Sequence, residues 1–239
     1  MAKEKALEGK IAVVTGASRG IGLAIARKLG GLGARLSLCA RSADKLQNVA
    51  DELKSGGAEV ITVAADVTSG DDILSLVEET KQAFGTIDIL VNNAGIGYFG
   101  PFYEANASDW DSVLDTNLKS VFLLSKAVAK GMIERRGGHI INIASLAGKN
   151  AFAGGAIYCA SKWGLLGMTE CMAEDLRAHG IRVSAICPGT VATGFSPHAG
   201  KDSSKMLQPE DIAQVVESIV TQAPQSFISE VLLRPAQKP

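Results

Sequence analysis

The stretch Val-Val-Thr-Gly-Ala-Ser-Arg-Gly-Ile-Gly, residues 13–22, joins a short apolar run to an amphipathic one. The run before it, Ile11–Val14, predicts a strand, and Ile21–Leu32 after it predicts a helix. Glycines in such a turn let the backbone bend tightly and approach a phosphate without a Cβ clash. The helix that follows would point free N–H groups at a pyrophosphate. Because strand, turn and helix come in this order, the stretch predicts a dinucleotide site, with a purely structural turn as the alternative.

Outward from this turn, apolar runs alternate with amphipathic stretches along the whole chain. The predicted strands are Ile11–Val14, Leu36–Cys39, Val60–Ala64, Ile87–Val91, His139–Ile143, Val183–Ile186 and Val231–Leu233. The predicted helices are Ile21–Leu32, Ala43–Lys54, Asp71–Phe84, Ser108–Glu134, Ala156–Ala178 and Pro209–Thr221. Early strands that are apolar throughout are typical of strands covered on both faces. The alternation predicts an α/β fold: one doubly wound, Rossmann-like domain over 1–239, with a seven-stranded parallel sheet and helices on both faces. The irregular stretch 189–208 is expected to be a substrate lid.

Composition narrows the class of partner. The chain has 24 basic and 25 acidic residues and a net charge of −1. Without an excess of positive charge, the chain is not expected to bind nucleic acid or an anionic membrane. A small molecule is therefore the expected partner. No apolar stretch approaches the length of a membrane-spanning helix, and the charged N-terminus does not look like a signal peptide. The four cysteines form no Cys-x-x-Cys pair and are expected to be reduced, which suits the cytoplasm.

The end of the second predicted strand indicates which nicotinamide cofactor would bind. An NAD site usually has an acidic residue there, about 20 positions after the glycines, to hold the ribose hydroxyls. Here the place holds Ala40-Arg41, and Arg19 in the glycine turn is expected to face the same ribose. Two guanidinium groups could bind a 2′-phosphate through charge-assisted hydrogen bonds. The sequence therefore favours NADP over NAD, with two solvated surface arginines as the alternative.

Asp66 and Val67 follow directly after the end of the third predicted strand, in Ala65-Asp66-Val67. Asp66 could accept a hydrogen bond from the adenine amino group. An N-cap of the following helix is the alternative, since aspartate before a helix is a common cap.

Further motifs follow in the second half of the chain. They are Asn92-Asn93-Ala94-Gly95, Asn117, Ser145, Tyr158-Cys159-Ala160-Ser161-Lys162 and Pro188-Gly189. In this order and spacing, behind the glycine turn, the chain from about Gly9 to Pro235 resembles a short-chain dehydrogenase/reductase. The resemblance implies strand order 3-2-1-4-5-6-7 and a homotetramer or homodimer. In such assemblies the helices predicted at Ser108–Glu134 and Ala156–Ala178 pack between subunits.

Tyr158 and Lys162 are four residues apart and would share one face of a helix. Free tyrosine has a pKa of about 10, which is too high for efficient acid/base work near neutrality, and a nearby ammonium is expected to lower it. Tyr158 would protonate a carbonyl oxygen as hydride arrives, or remove the proton in the reverse reaction. Ser145 would hydrogen-bond the same oxygen. Each residue alone could have only a structural role, on a helix face or in a turn. The complete set favours a catalytic site.

The resemblance assigns further roles. Asn117 would anchor a water that links Lys162 to solvent, and Lys162 would also hold the nicotinamide ribose. Val191 and Thr193, after Pro188-Gly189, would hold the nicotinamide carboxamide and a nearby phosphate, although a simple proline-glycine turn is compatible with that sequence. The residues expected to bind the cofactor are Gly16, Ser18, Arg19, Gly20, Ile21, Gly22, Arg41, Asp66, Val67, Asn93, Ala94, Gly95, Tyr158, Lys162, Pro188, Gly189, Val191 and Thr193.

A partly apolar substrate pocket is expected next to this set. Its candidate residues are Ile96, Tyr98, Leu146, Phe152, Phe195 and Met206, which could equally be packing anchors. His198, in the expected lid, could meet the substrate. The three histidines have no metal-ligand spacing, so no metal is expected.

Together these features predict NADPH-dependent reduction of a ketone, aldehyde or 3-oxoacyl group, with Asn117, Ser145, Tyr158 and Lys162 as the catalytic set. An alcohol dehydrogenase working oxidatively and a non-catalytic NADP-binding protein are the alternatives. The chain ends Val231-Leu232-Leu233-Arg234-Pro235, where 3-oxoacyl carrier-protein reductases commonly end in a glycine-rich segment after a valine-aspartate pair. This departure weakens a fatty-acid assignment.

Overall fold

The structure is a computed structural model that describes residues 5–195 and 202–239. Its seven strands are β1 (Ile11–Thr15), β2 (Arg35–Ala40), β3 (Val60–Ala64), β4 (Ile89–Asn92), β5 (Gly138–Ile143), β6 (Ile181–Pro188) and β7 (Glu230–Leu233). They form one sheet in the order β3-β2-β1-β4-β5-β6-β7. Every neighbouring pair is parallel. The predicted fold class and the implied strand order are both confirmed.

Within 5–195 and 202–239, seven α-helices connect the strands. They are α1 (Gly20–Gly31), α2 (Ala43–Ser55), α3 (Gly70–Phe84), α4 (Ala107–Leu114), α5 (Ser120–Glu134), α6 (Ala156–Arg177) and α7 (Pro209–Val220). The long helix expected at Ser108–Glu134 is two helices, because five residues in π-helical geometry, Asp115–Lys119, separate α4 from α5. Short 3₁₀ turns lie at Phe102–Glu104, Leu146–Gly148 and Ser203–Lys205.

The two faces of the sheet bury different hydrophobic cores. Ala12 and Val14 of β1 pack with α1, α2 and α7 on one face. Ile11 and Val13 of the same strand pack with α3, α5 and α6 on the other. Burying an aliphatic side chain of this size stabilises a fold by about 1.5–3 kcal/mol. Alternate residues of one strand therefore hold two helix layers, which explains why β1 is apolar throughout.

Strand order reverses between β1 and β4, which lie side by side in the middle of the sheet. In open parallel sheets a crevice forms at this point, outside the carboxyl ends of the strands. The glycine turn follows β1, and Asn93-Ala94-Gly95 follows β4. The fold thus brings together two motifs that are almost 80 residues apart in sequence.

The segment expected to be a lid, 189–208, is described only in part. Val191 pairs with Leu207 in an isolated parallel bridge, which ties the two ends of the segment together. His198, expected to meet the substrate, lies outside the described residues.

Candidate active site

A cavity of about 2140 Å³ runs along the carboxyl ends of the strands. Of the residues singled out from the sequence, its lining includes Gly16, Ser18, Arg19, Gly20, Ile21, Arg41, Asp66, Val67, Asn93, Ala94, Gly95, Ser145, Tyr158, Lys162, Pro188, Gly189, Val191 and Thr193. Gly22 and Asn117 are not among the lining residues, and both are buried. The fold therefore gathers almost the entire expected set around one space.

Thr15 joins the turn after β1 to the turn after β4, at the point where the strand order reverses. Its Oγ1 donates to the carbonyl of Val91 at 3.3 Å and accepts from the backbone N–H groups of Asn93 and Ala94 at 3.0 Å each. Asn93 Nδ2 donates back to the Thr15 carbonyl at 2.8 Å. These bonds lock the turn after β1 to the turn after β4. Thr15 was quoted in the glycine motif, but its hydroxyl was not predicted to hold the two turns together.

Glycine is required at two points of the phosphate turn. Gly16 has φ +64°, where a side chain is strained. Gly22 has ordinary φ, but a Cβ there would overlap the carbonyl oxygen of Gly16 and lie 2.6 Å from Asn93 Nδ2. The first turn of α1 can come this close to β1 only because position 22 has no side chain.

The N-terminus of α1 is built to accept an anion. Arg19 occupies the N-cap position in extended conformation, and within the described residues its side chain makes no capping bond. The first N–H groups of the helix therefore have no side-chain cap in the described part of the chain, and Gly20 and Ile21 at this end of the helix line the cavity. A Cβ on Gly20, which has φ +55°, would lie 3.3 Å from Thr193 Cγ2. This narrow cradle fits a phosphate group of a dinucleotide.

Positive charge collects at the β2 end of the cavity. Arg19 and Arg41 both line it, as predicted. Ser42 and Lys45, at the start of α2, line the same end and were missed. Ser42 is the N-cap of α2, yet its hydroxyl makes no capping bond among the described residues. Three cations and a hydroxyl at one end fit a second phosphate better than they fit a bare ribose.

Asp66 is fixed by the turn that follows β3. Its Oδ1 accepts from the backbone N–H of Thr68 at 2.9 Å and from Thr68 Oγ1 at 2.8 Å, and these bonds hold the pKa of the carboxyl below its usual range. The N-cap of α3 is Ser69, whose hydroxyl accepts from the N–H of Asp72. The alternative that Asp66 caps this helix is therefore wrong.

Ser145, Tyr158 and Lys162 meet at the other end of the cavity. Ser145 directly follows β5, and Tyr158 and Lys162 lie one turn apart on α6. Lys162 Nζ donates to the carbonyl of Ile143 at 2.9 Å, which anchors it at the end of β5. Ser145 Oγ accepts from the backbone N–H of Ala147 at 3.1 Å, and its side chain lies close enough to Tyr158 to favour the ionised form of that hydroxyl. The hydroxyl of Tyr158 and the hydroxyl of Ser145 can thus reach the same substrate oxygen.

Burial dominates the electrostatics of this pair. Tyr158 is 8% exposed, and burial raises its pKa to about 12, although the nearby Ser145 side chain opposes this. Burial also lowers the pKa of Lys162 to about 8. The expectation that Lys162 lowers the pKa of Tyr158 is therefore wrong for this structure. The Lys162 ammonium lies 5.9 Å from the centre of the Tyr158 ring and is itself poorly solvated, so removal of water outweighs the attraction between charges.

Asn117 lies in the π-helical segment, and its amide spans two other elements. Its Oδ1 accepts from the N–H of Ile96 at 2.9 Å, and its Nδ2 donates to the carbonyl of Ile96 at 2.8 Å. The Nδ2 also donates to Ser161 Oγ at 3.0 Å. Asn117 thus ties the loop after β4 to α6, one residue before Lys162. π-Helical turns of this kind are frequent at functional sites.

A buried network of amide side chains holds α5 and α6 against the sheet. Asn92 of β4 and Asn142 of β5 are neighbours in the sheet, and Asn92 Nδ2 donates to Asn142 Oδ1 at 2.9 Å. Asn92 Nδ2 also donates to Ser125 of α5, and Asn142 Nδ2 donates to Thr169 of α6. The network fixes α5 and α6 on the sheet. It was not predicted, because no local pattern in the sequence pairs these residues.

The expected apolar pocket is partly correct. Ile96, Leu146, Phe152 and Phe195 line the cavity, and so does Phe99, which was missed. Of the other two candidates, Met206 lines a separate cavity of about 750 Å³ beside α7. Tyr98 lies outside the lining of both cavities as the described residues form them.

Three general features bear on the chemistry available. Within 5–195 and 202–239, no group of three or more His, Cys, Asp or Glu residues could hold a metal ion. All four cysteines are free. No described helix is both long and apolar enough to span a membrane.

The chain is similar to known proteins in both sequence and structure. The model of the short chain dehydrogenase family matches residues 10–204. An uncharacterized oxidoreductase of Staphylococcus aureus (strain MRSA252) is 37% identical over 229 residues, covering 96% of this chain and 98% of the relative. A metagenomic short-chain oxidoreductase solved in complex with NADP is 48% identical, has a TM-score of 0.87, and matches over 98% of this chain and 100% of its own.

A second solved structure is the alcohol dehydrogenase from the archaeon Thermococcus sibiricus, complexed with 5-hydroxy-NADP. It is 31% identical, has a TM-score of 0.89, and matches over 96% of this chain and 98% of its own. With the family model covering most of the sequence and the strand order and site motifs in place, the chain belongs to the short-chain dehydrogenase family.

Proposed function

We propose that this protein is an NADP-dependent oxidoreductase that reduces a carbonyl group to an alcohol. The observation that carries the proposal is one continuous cavity with two different ends. A cluster of cations lies where NAD enzymes place a carboxylate, and Tyr158, Ser145 and Lys162 lie at the opposite end. Two structural neighbours were solved with NADP or a derivative of it, which supports the choice of cofactor.

The cofactor would lie along the cavity from the cations to Tyr158. Arg19 and Arg41, with Ser42 and Lys45, would hold the 2′-phosphate, and the first turn of α1 would hold the pyrophosphate. The adenine would meet Asp66 and Val67. Beyond the pyrophosphate, the cofactor would contact Asn93, Ala94, Gly95, Pro188, Gly189, Val191 and Thr193. The bound nicotinamide supplies the hydride for reduction.

Tyr158 is the proposed proton donor. Its hydroxyl is protonated at neutral pH, because burial raises its pKa, so it can transfer a proton to the carbonyl oxygen as the carbon is reduced. Ser145 Oγ would hydrogen-bond the same oxygen and stabilise the charge that develops on it. Lys162 Nζ, held by the Ile143 carbonyl, would orient the nicotinamide ribose.

Asn117 is proposed to position the catalytic helix. Its bonds to Ile96 and Ser161 fix α6 against the loop after β4, and a water link from this region to Lys162 would return protons to Tyr158. Segment 189–208 is proposed to cover the bound substrate.

NADPH oxidation with a panel of ketones, aldehydes and 3-oxoacyl thioesters tests this proposal. We expect carbonyl-dependent loss of NADPH absorbance and formation of the alcohol. Faster turnover of alcohols with NADP than of any carbonyl with NADPH would favour the oxidative alternative. NADPH binding without turnover of any compound would favour a non-catalytic binding protein.

We also propose that the chain assembles with copies of itself into a homotetramer or homodimer. Trp110 of α4, Phe122 of α5 and Trp163 of α6 are 48%, 49% and 53% exposed, on the helices that pack between subunits in the family. Large apolar side chains exposed together commonly mark an interface. Light scattering of the wild type and of Trp163→Glu tests this. A monomeric wild type would contradict the proposal.

The proposed compartment is the cytoplasm, since four free thiols suit a reducing environment. Detection of the protein in a membrane or secreted fraction would contradict this.

A further inference from the structure

Two phenylalanine rings, those of Phe99 and Phe195, contact the Tyr158 ring, and a third, that of Phe152, packs on Phe99. We refer to Phe99, Phe152 and Phe195 as the aromatic cluster. The ring centres of Phe99 and Phe195 lie 5.4 and 5.6 Å from that of Tyr158. Phe99 lies 6.4 Å from Phe152 and 6.2 Å from Phe195, so it is the centre of the cluster. All these separations fall in the range in which aromatic pairs attract each other.

The cluster is directed at the cavity and not into the protein core. All three rings line the cavity, and Phe152 and Phe195 remain 48% and 40% exposed. Exposed apolar rings next to a buried catalytic hydroxyl are a surface that a bound apolar group would cover. In the described part of the chain, the cation–ring contacts involve Phe84, Phe122 and Tyr158, and not these three rings.

Two glycines make room for the cluster. A Cβ on Gly97 would lie 2.5 Å from Phe99 Cε2 and 3.4 Å from Phe195 Cε1. A Cβ on Gly155 would lie 2.5 Å from Phe152 Cζ. The rings occupy the space that side chains at 97 and 155 would fill, so their position depends on residues that carry no side chain there.

The place of the substrate carbonyl follows from the proposed function, on which this inference rests. Its oxygen must lie within hydrogen-bond distance of the Tyr158 hydroxyl. A substituent on the carbonyl carbon then lies within a few ångströms of the Tyr158 ring, where Phe99 and Phe195 are found. From these positions we propose that the substrate is an aryl ketone or aryl aldehyde whose aryl group packs on Phe99 and Phe195. The substrate itself carries no charged group near its carbonyl.

An aryl ring fits this position better than a short alkyl group or a saturated ring. A short alkyl group would leave most of the exposed ring surface uncovered. A saturated ring of the same size would bury similar area but lacks the face and edge charges that favour stacked and tilted aromatic pairs. The substrate is therefore recognised by ring packing, and its oxygen by Tyr158 and Ser145.

The experiment compares acetophenone, cyclohexyl methyl ketone, butan-2-one and acetoacetyl-coenzyme A as substrates with NADPH. We expect kcat/KM for acetophenone to exceed that for butan-2-one by about tenfold or more. Phe99→Leu and Phe195→Leu should each lower kcat/KM for acetophenone about tenfold more than kcat/KM for butan-2-one. Phe102→Leu is the matched control, because Phe102 is 71% exposed and lies outside the cavity lining, and it should change neither value.

Binding of the product alcohol supplies a readout that does not require turnover. In calorimetry with NADP present, 1-phenylethanol should bind more tightly than 1-cyclohexylethanol, and Phe99→Leu should remove the difference. If no carbonyl is reduced but this difference is found, carbonyl reduction is wrong and the aryl site stands. If butan-2-one or acetoacetyl-coenzyme A is reduced as efficiently as acetophenone, or if Phe99→Leu leaves the substrate ratio unchanged, the aryl proposal is wrong.

Discussion

At the scale of single residues, we propose that the charge at position 41 decides which cofactor the cavity fits. The sequence predicted this from the missing acid at Ala40-Arg41, and Arg41 does line the cavity with Arg19. Lys45 was missed because a lysine on an amphipathic helix ordinarily faces solvent. Phe99 was missed because loop residues have no periodicity that shows which way they point.

Arg41→Asp should shift cofactor preference from NADPH toward NADH. The substitution removes a cation from the 2′-phosphate site and restores a carboxylate for ribose hydroxyls. Because a hydrogen bond to a charged group contributes about 1.5–3 kcal/mol, the NADPH/NADH ratio of kcat/KM should fall by about tenfold to hundredfold.

Two variants make this comparison sharper. Arg41→Lys keeps the charge but loses the two-pronged contact, so its ratio should lie between those of the wild type and Arg41→Asp. Lys54→Asp, at the far end of α2, controls for charge and should leave the ratio unchanged. An unchanged ratio in Arg41→Asp would refute the proposed role of Arg41.

At the scale of elements, the sequence predicted where helices and strands occur more accurately than how they are distorted. The interruption at Asp115–Lys119 was missed because the same residues suit an unbroken α-helix. The π-helical turn coincides with bonds from Asn117 to Ile96 and Ser161, which are 21 and 44 residues away. Such tertiary contacts leave no trace in a helical pattern.

The start of α1 can be tested with two glycines of one helix. Gly22→Ala would place a Cβ against the Gly16 carbonyl and Asn93 Nδ2, so it should destabilise the fold by about 1–3 kcal/mol and weaken NADP binding. At Gly31, by contrast, a Cβ would have no described atom within 4 Å.

Gly31→Ala is therefore the matched control in the same helix. It should leave NADP affinity unchanged and leave stability equal or slightly higher, since alanine is the better helix former. Urea unfolding and NADP titration of the two variants give the comparison. Equal behaviour of the two would show that close packing at position 22 does not shape the phosphate turn.

At the scale of the whole molecule, the order of strands and the two-faced core follow from local patterns and general rules of α/β folds. The pairing of the buried polar residues does not follow from such patterns or rules. His139 of β5 is 2% exposed; its Nε2 lies 2.8 Å from Ser184 Oγ, and its Nδ1 has no hydrogen-bond partner among the described residues. Because Ser184 Oγ donates to the Ile228 carbonyl, the His139 Nε2–H is the donor of this pair. The sequence predicted that His139 begins a strand, but it could not show that the buried imidazole is neutral.

Burial of His139 should make global stability fall in acid. Burial lowers its pKa from 6.5 to about 3, so below pH 6.5 the unfolded chain binds a proton that the folded chain does not. This contribution is complete above pH 6.5 and decreases as pH falls, reaching a loss of about 2 kcal/mol at pH 5. Urea unfolding between pH 8 and pH 5 measures it.

His139→Gln removes the titrating group and should flatten this part of the pH profile. NMR of the His139 ring in the wild type provides an independent check, since the ring should stay neutral down to pH 5. A ring that titrates near pH 6.5 in the folded protein would contradict the explanation.

The proposed role of Tyr158 as the proton donor is tested most directly by Tyr158→Phe. NADPH affinity, followed by cofactor fluorescence, should stay close to that of the wild type, while carbonyl turnover should fall by about hundredfold or more. Tyr98→Phe, the same change at a tyrosine outside the described cavity lining, should keep full activity. If Tyr158→Phe binds NADPH and still reduces the carbonyl at the wild-type rate, Tyr158 is not the proton donor.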